Sequence, residues 1–221
     1  MKNPHLLKRS MSTLSSLPGS WKGVVAMGLC AALVGCGEGA MEAPLDENGV
    51  VRQENHTGLV ANGDFEQGPA CGCGPTTTFV SLNPGDTGLL NWTILGNGVT
   101  HVGSGWTAAN GIGSVELNDS DGPGGITQTL STVSGAGYTL SFRAAGDPTC
   151  GTGTRQVKVS YPGHWFIISI NVTSSTTTTN MGWGLTTATF TATSSSTPLT
   201  FESLTSGSCG PVIDMVTVTA N

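Results

Sequence analysis

Charge is what this chain has least of. Asp, Glu, Lys and Arg together make up 10% of its 221 residues, and the basic share is smaller still. Four of its eight Lys and Arg (Lys2, Lys8, Arg9 and Lys22) fall within the first 35 residues, which hold no acidic residue. Beyond position 35, Arg52, Arg143, Arg155 and Lys158 face fourteen Asp and Glu, a net of −10. Such a surface repels a phosphate backbone, so nucleic acid is not expected as a partner. Long apolar runs are lacking too, since the stretch at 24–34 falls well short of the ~20 residues a spanning helix needs. No 11-residue window carries an apolar stripe at helical spacing. Catalytic signatures are equally scarce: there is no G-x-S-x-G elbow, H-E-x-x-H, P-loop, or G-x-G-x-x-G after a strand. Past residue 57 only His101 and His164 occur, and neither has the Ser and Asp spacing of a triad. The chain is therefore read as a non-enzyme. A small glycoside hydrolase using two of the scattered acids Asp64, Glu116 and Asp121 is the weaker alternative.

The N-terminus has a basic region, a short apolar run and small residues before a cut site, the pattern of a secretory signal. L-V-G-C at 33–36 resembles the bacterial lipobox, in which the Cys is diacylated and becomes the first mature residue. Residues 1–35 are read as the signal peptide and Cys36 as the lipidated residue, since several acyl chains hold a soluble domain on a bilayer. Gly37 follows, not the Asp that favours inner-membrane retention, so an outer-membrane lipoprotein of the bacterial cell envelope is expected. Residues 36–57 are acidic and without apolar periodicity, which suits a tether. Residues 58–221 form the domain, long enough to bury roughly 70% of its unfolded surface.

Gly is plentiful, at 33 residues, and Ser and Thr recur on alternate positions. Apolar residues alternate with them at period two, between turns rich in Gly, Pro, Asn and Asp. Tyr138, Leu140, Phe142 and Ala144 share one face, as do Val157, Val159 and Tyr161, and Phe166, Ile168, Ile170 and Val172. Phe190 and Ala192, then Leu199 and Phe201, and finally Ile213, Met215 or Val216, and Val218 continue the pattern. Earlier strands are expected at 58–62, 89–95, 98–102, 113–118 and 125–131. About ten short strands with β-branched outer faces make an all-β, two-sheet jelly-roll β-sandwich. If its first and last strands are neighbours, Glu66 in N-G-D-F-E (62–66) and Asp214 in C-G-P-V-I-D-M-V (209–216) meet at a sheet edge.

Beyond Cys30 and Cys36, four cysteines remain: Cys71, Cys73, Cys150 and Cys209. In an exported chain they imply two disulfides with three possible connectivities. Cys150 and Cys209 lie in loops that a sandwich can bring together. Cys71-Gly-Cys73 is then bridged within itself or held as thiols, with a C-x-C metal or redox site as the sharper alternative.

N-G-D-F-E, N-W-T-I (91–94), G-S-V-E-L (113–117), G-G-I-T-Q-T-L (124–130), Y-T-L-S-F-R-A-A-G (138–146), N-M-G-W (180–183) and the closing G-P-V-I-D-M-V occur in this order. Together they resemble the bacterial choice-of-anchor C domain. The closing motif, with Cys150 and Cys209, also resembles the plant cell-wall domain of unknown function six-four-two, in which the Cys before G-P pairs with an earlier one. The resemblance spans essentially all of 58–221; the Cys71-Gly-Cys73 insertion departs from it. It implies a galactose-binding-like sandwich, extracytoplasmic anchoring and polysaccharide binding. It also implies a structural calcium on Glu66 and Asp214, with Asn62 and Asp64 nearby, since hard cations take carboxylate and carbonyl oxygens. The opposing expectation is that Glu66 and Asp214 only bind backbone amides.

Aromatic rings stack on the apolar C–H faces of pyranoses. Trp92 and Trp183 stand in family signatures and are read as packing residues. Trp106, in a Gly-rich stretch, and Trp165, after a P-G-H turn, are read with Tyr161 as ligand contacts, and His101 and Arg143 as polar neighbours. The chain is thus expected to be a lipid-anchored, non-catalytic module for a polysaccharide or glycoconjugate. The alternative is a structural or adhesion protein of the envelope that contacts other proteins.

Overall fold

The computed structural model describes residues 58–71 and 78–221. The expected signal peptide, the lipidation at Cys36, the tether and Cys73 lie outside the described residues.

Twelve strands form two antiparallel sheets, with no α-helix among the described residues. The strands are β1 (Phe79–Leu82), β2 (Thr93–Gly96), β3 (Val99–Val102), β4 (Ser114–Glu116), β5 (Asn118–Asp119), β6 (Gly122–Ser131), β7 (Gly137–Gly146), β8 (Gly153–Tyr161), β9 (His164–Val172), β10 (Gly184–Thr191), β11 (Ser196–Ser203) and β12 (Pro211–Ala220). The first sheet runs β1-β3-β4-β12-β7-β10 and the second β2-β6-β11-β8-β9, with β5 paired to β6. The all-β, two-sheet sandwich expected from the alternation is what the chain forms.

Period-two patterning puts one apolar face of each sheet into a shared core. Leu140, Phe142, Ile213 and Val218 come from the first sheet and Ile126, Val157, Val159, Leu199 and Phe201 from the second, all buried. Phe201 joins the layers through edge-on contacts to Phe142 (centroids 5.1 Å) and Trp92 (6.3 Å). On β12 the phase changes at a bulge between Asp214 and Thr217, where Met215 takes φ 54°. The extra residue turns Met215 outward and Val216 inward, which resolves the ambiguity between them. A second, smaller cluster covers the outer face of the first sheet: Val102, Trp106, Ala145, Met181 and Val212, with Trp183 against it.

The strand expected at 113–118 is split into β4 and β5, β6 begins at Gly122 instead of 125, and two departures are larger. Residues 58–62 are not a strand but a bent segment fixed to β12, with Leu59 N–H on the Val218 carbonyl (2.8 Å) and Val216 N–H on the Gly63 carbonyl (2.7 Å). A Cβ on Gly63 would fall onto the Val216 carbonyl, so the chain can lie this close to β12 only with Gly there. β2 begins at Thr93 instead of 89, because Asn91 adopts φ 68°. β1 had no sequence expectation; its central Val80 is half-buried and its Phe79 packs on Trp106.

Candidate functional site

The opening turn is held by side chains from far along the chain. Asn62 (φ 51°) accepts Gln67 N–H (3.0 Å) on Oδ1 and donates from Nδ2 to the Leu90 carbonyl (2.9 Å). Phe65 (φ 56°) is fully buried, and its carbonyl accepts from His101 Nε2 (2.8 Å). His101 Nδ1 accepts Ala70 N–H (2.9 Å), so the ring is the neutral Nε2–H tautomer. Burial lowers the His101 pKa, and the bond to Phe65 opposes that only in part. The expectation of a ligand-facing His101 is corrected: it is a buried strut with both nitrogens used.

Glu66 and Asp214 grip one loop from two sides. Glu66 Oε1 accepts the amides of Ile112 and Gly113, both at 2.7 Å. Asp214 Oδ2 accepts those of Ala109 (2.8 Å) and Asn110 (3.0 Å), and Oδ1 that of Met215 (2.6 Å). Burial pushes the Asp214 carboxyl up to about 7 against these amide bonds, and the Glu66 charge adds to the rise. Of the four residues expected around calcium, these two therefore converge. Asn62 does not, because its backbone carbonyl accepts Trp92 Nε1 (2.9 Å) and its side chain is spent on Gln67 and Leu90, and Asp64 Oδ1 takes Glu66 N–H at 3.5 Å. The pair retains lone pairs beyond those the amides use, so the donor chemistry at Glu66 and Asp214 fits a hard cation.

Trp106 is also corrected. It is 5% exposed, donates from Nε1 to Ser114 Oγ (2.9 Å) and meets Phe79 edge-on at 5.5 Å. The Gly-rich loop around it lays the indole onto the outer sheet face. Trp183 closes the same loop, donating from Nε1 to the Thr107 carbonyl (3.0 Å). Arg143 lies on β7 of this sheet, between Asp214 and Leu185 in register. Trp106, His101 and Arg143 thus belong to the first sheet, whereas Tyr161 and Trp165 lie on β8 and β9 of the second. The five expected contacts do not form one site.

Tyr161 and Trp165 do share a place, the β8–β9 hairpin end. Tyr161 points inward and packs on Phe190 (centroids 4.9 Å) and His164 (5.7 Å), while Phe190 stacks on Tyr138 (5.5 Å). Tyr161, His164 and Phe190 line an open cleft of ≈ 500 Å³ whose walls include Thr189, Thr191 and Asn221. Trp165, on the opposite side of the hairpin, is 65% exposed. His164 and Phe190 were not expected here. The signal for Phe190 was its inward place near the end of a Thr-rich strand, but nothing local places that strand opposite Tyr161.

Cys150 and Cys209 form a disulfide (Cα–Cα 6.1 Å). Beside it, Glu116 Oε1 accepts Gly210 N–H (2.7 Å), and Asp147 meets the Glu116 carboxyl. Glu116 is 5% exposed, so it is no freely accessible hydrolase acid, whereas Asp121 is exposed in the β5–β6 turn.

Residues 58–219 match the family described as "Protein of unknown function (DUF642)". Among curated proteins, Halomucin of Haloquadratum walsbyi is 31% identical over 163 residues, which is 72% of this chain; the chain spans only 2% of that protein's length. Among solved structures, TmCBM61 in complex with β-1,4-galactotriose is similar at TM-score 0.46 and 14% identity, over 74% of this chain and 99% of that one. CBM35 from Paenibacillus barcinonensis is similar at TM-score 0.43 and 19% identity, over 65% and 99%.

Proposed function

We propose that this chain, which belongs to the DUF642 family, is a non-catalytic carbohydrate-binding module whose sugar site is the β8–β9 hairpin end. The observation that carries this reading is the hairpin end itself, with an uncovered Trp165 on its outer side and a ring-lined cleft with hydroxyl and amide walls on its inner side. A pyranose presents apolar C–H faces and equatorial hydroxyls, and this place offers partners for both. Carbohydrate-binding modules are among the solved structures the chain resembles. Display on a bacterial envelope through lipid on Cys36 belongs to the same reading and rests on the L-V-G-C motif.

Binding to a panel of soluble polysaccharides tests it by affinity electrophoresis. Tyr161→Ala and Trp165→Ala are each expected to weaken binding about tenfold, or about 1.4 kcal/mol. Binding that survives both changes moves the site elsewhere. No binding to any polysaccharide favours an envelope protein that contacts only other proteins.

A structural calcium on Glu66 and Asp214 is part of the proposal, supported by the mutual repulsion of two carboxylates held on one loop. Calcium at a hundredfold over Kd is expected to raise Tm by about 5–10 °C, and Asp214→Asn to abolish that rise. An unchanged Tm in the unaltered chain contradicts it.

A further inference from the structure

We propose that the ligand is an uncharged polysaccharide lying extended across the strands of the second sheet, along a row that begins at Trp165; this rests on the carbohydrate reading above. The register makes the row. Trp165 on β9 stands opposite Ser160 on β8, Ser160 opposite Thr200 on β11, Thr200 opposite Thr127 on β6, and Thr127 opposite Thr93 on β2. All five point to the outer face, because the residues flanking them on each strand, such as Val159, Phe201, Ile126 and Ile94, are in the core. Trp165 and Thr93 are exposed and the three between them half-buried.

At a strand spacing of about 4.8 Å the row is ~19 Å long, and its step is close to the length of one pyranose in an extended chain. One aromatic at its edge and four hydroxyls along it match a polymer of rings carrying hydroxyls; Thr200 Oγ1 donates to Thr127 Oγ1 (2.9 Å), which donates to the Leu199 carbonyl (3.0 Å), so these two meet a ligand as acceptors. Ser160 adds a second kind of observation. Its Oγ is shielded from solvent yet has no hydrogen-bond partner within the chain. Such a hydroxyl destabilises the fold slightly and has no structural use. A sugar hydroxyl would complete it once docking moves the neighbouring, exposed Trp165 side chain enough to uncover the oxygen.

Charge sets the class of chain. In the next row Lys158 Nζ binds Glu202 Oε2 at 3.1 Å, so the two charges of this face cancel. Over 58–221, Arg143, Arg155 and Lys158 stand against nine acidic residues, a net of −6. Neither the row nor the cleft on the other side of the hairpin offers an Arg or Lys free to receive a carboxylate or sulfate. Uronic-acid and sulfated chains are therefore repelled, and neutral ones are not.

The test uses calorimetric titration with neutral cello-, xylo- and β-1,4-galacto-oligosaccharides of two to six residues, and with polygalacturonate. For the oligosaccharide series that binds, affinity is expected to rise with length and level off at about four or five residues, the span of the row. Ser160→Ala is expected to weaken the longest ligand severalfold with Tm unchanged or raised, a combination that a purely structural serine does not give. Thr200→Val is expected to weaken long ligands more than disaccharides. Polygalacturonate is expected to bind at least tenfold more weakly than the neutral series. Affinity independent of length, binding unmoved by Ser160→Ala and Thr200→Val, or a preference for polygalacturonate overturns the inference while leaving carbohydrate binding intact. If no glycan binds at all, the reading it rests on fails with it.

Discussion

With Cys150 and Cys209 both replaced by Ala, the domain is expected to lose about 4 kcal/mol of stability and, at its size, about 8–16 °C in Tm. The bond closes a loop between residues 59 apart, and most of its effect is to limit the unfolded chain. The folded geometry there does not depend on it. Asn118 Nδ2 donates to the carbonyls of Thr205 (2.9 Å) and Gly207 (2.6 Å), and Asp147 N–H to that of Gly210 (3.1 Å). The variant is therefore expected to keep its near-ultraviolet spectrum while its urea midpoint falls. A variant that loses under 1 kcal/mol, or that does not fold under any condition, contradicts this account of the bond.

Glu116→Gln is expected to remove a large part of the pH dependence of folding. Burial, first of all, pushes the Glu116 carboxyl from its usual 4.5 up to about 8; the Gly210 amide opposes this, and the charge and hydrogen bond of Asp147, then the charge of Asp119, add to it. A carboxyl raised in this way contributes its full stability below pH 4.5, and that contribution is lost as pH rises to about 8. The loss amounts to about 1.4 kcal/mol per pH unit across that window, several kcal/mol in all. Glutamine keeps both bonds: its carbonyl accepts Gly210 N–H and its amide donates to Asp147. Urea unfolding of both chains from pH 4.5 to 9 gives the check. Asp214, raised to about 7, and His101, lowered by burial, titrate alike in both chains and cancel in the difference. The difference is expected to move in favour of the variant as pH rises; a flat difference means the carboxyl pair does not hold a proton in the fold.

Much of the sandwich was legible because its signal is local. Outward, mostly polar residues and inward apolar ones repeat along β7, β8 and β11, and their phase alone orients each strand. The misread elements are those fixed from a distance. The bend at 58–66 depends on Val216 and Val218 and on His101, 36 residues beyond Phe65, so the apolar start of the domain looked like a strand. Trp106 looked exposed because Gly surrounds it, yet those glycines let the loop close onto the sheet: a Cβ on Gly105 would strike the Phe79 ring that packs on the indole. At the candidate site, the aromatic character of Tyr161 and Trp165 was readable. The opposition of Tyr161 and Phe190, on strands of different sheets, follows from topology and was not.

Four Trp residues lie among those described (Trp92, Trp106, Trp165 and Trp183), and their indole N–H resonances separate the sugar site from the rest. Titrating the full chain with the neutral oligosaccharide that binds it, by nitrogen-edited NMR, is expected to shift the Trp165 indole strongly while those of Trp92 and Trp106 stay in place. A Trp165 signal unmoved at saturation, with Trp106 shifting in its stead, contradicts the placement of the glycan on the β8–β9 hairpin end.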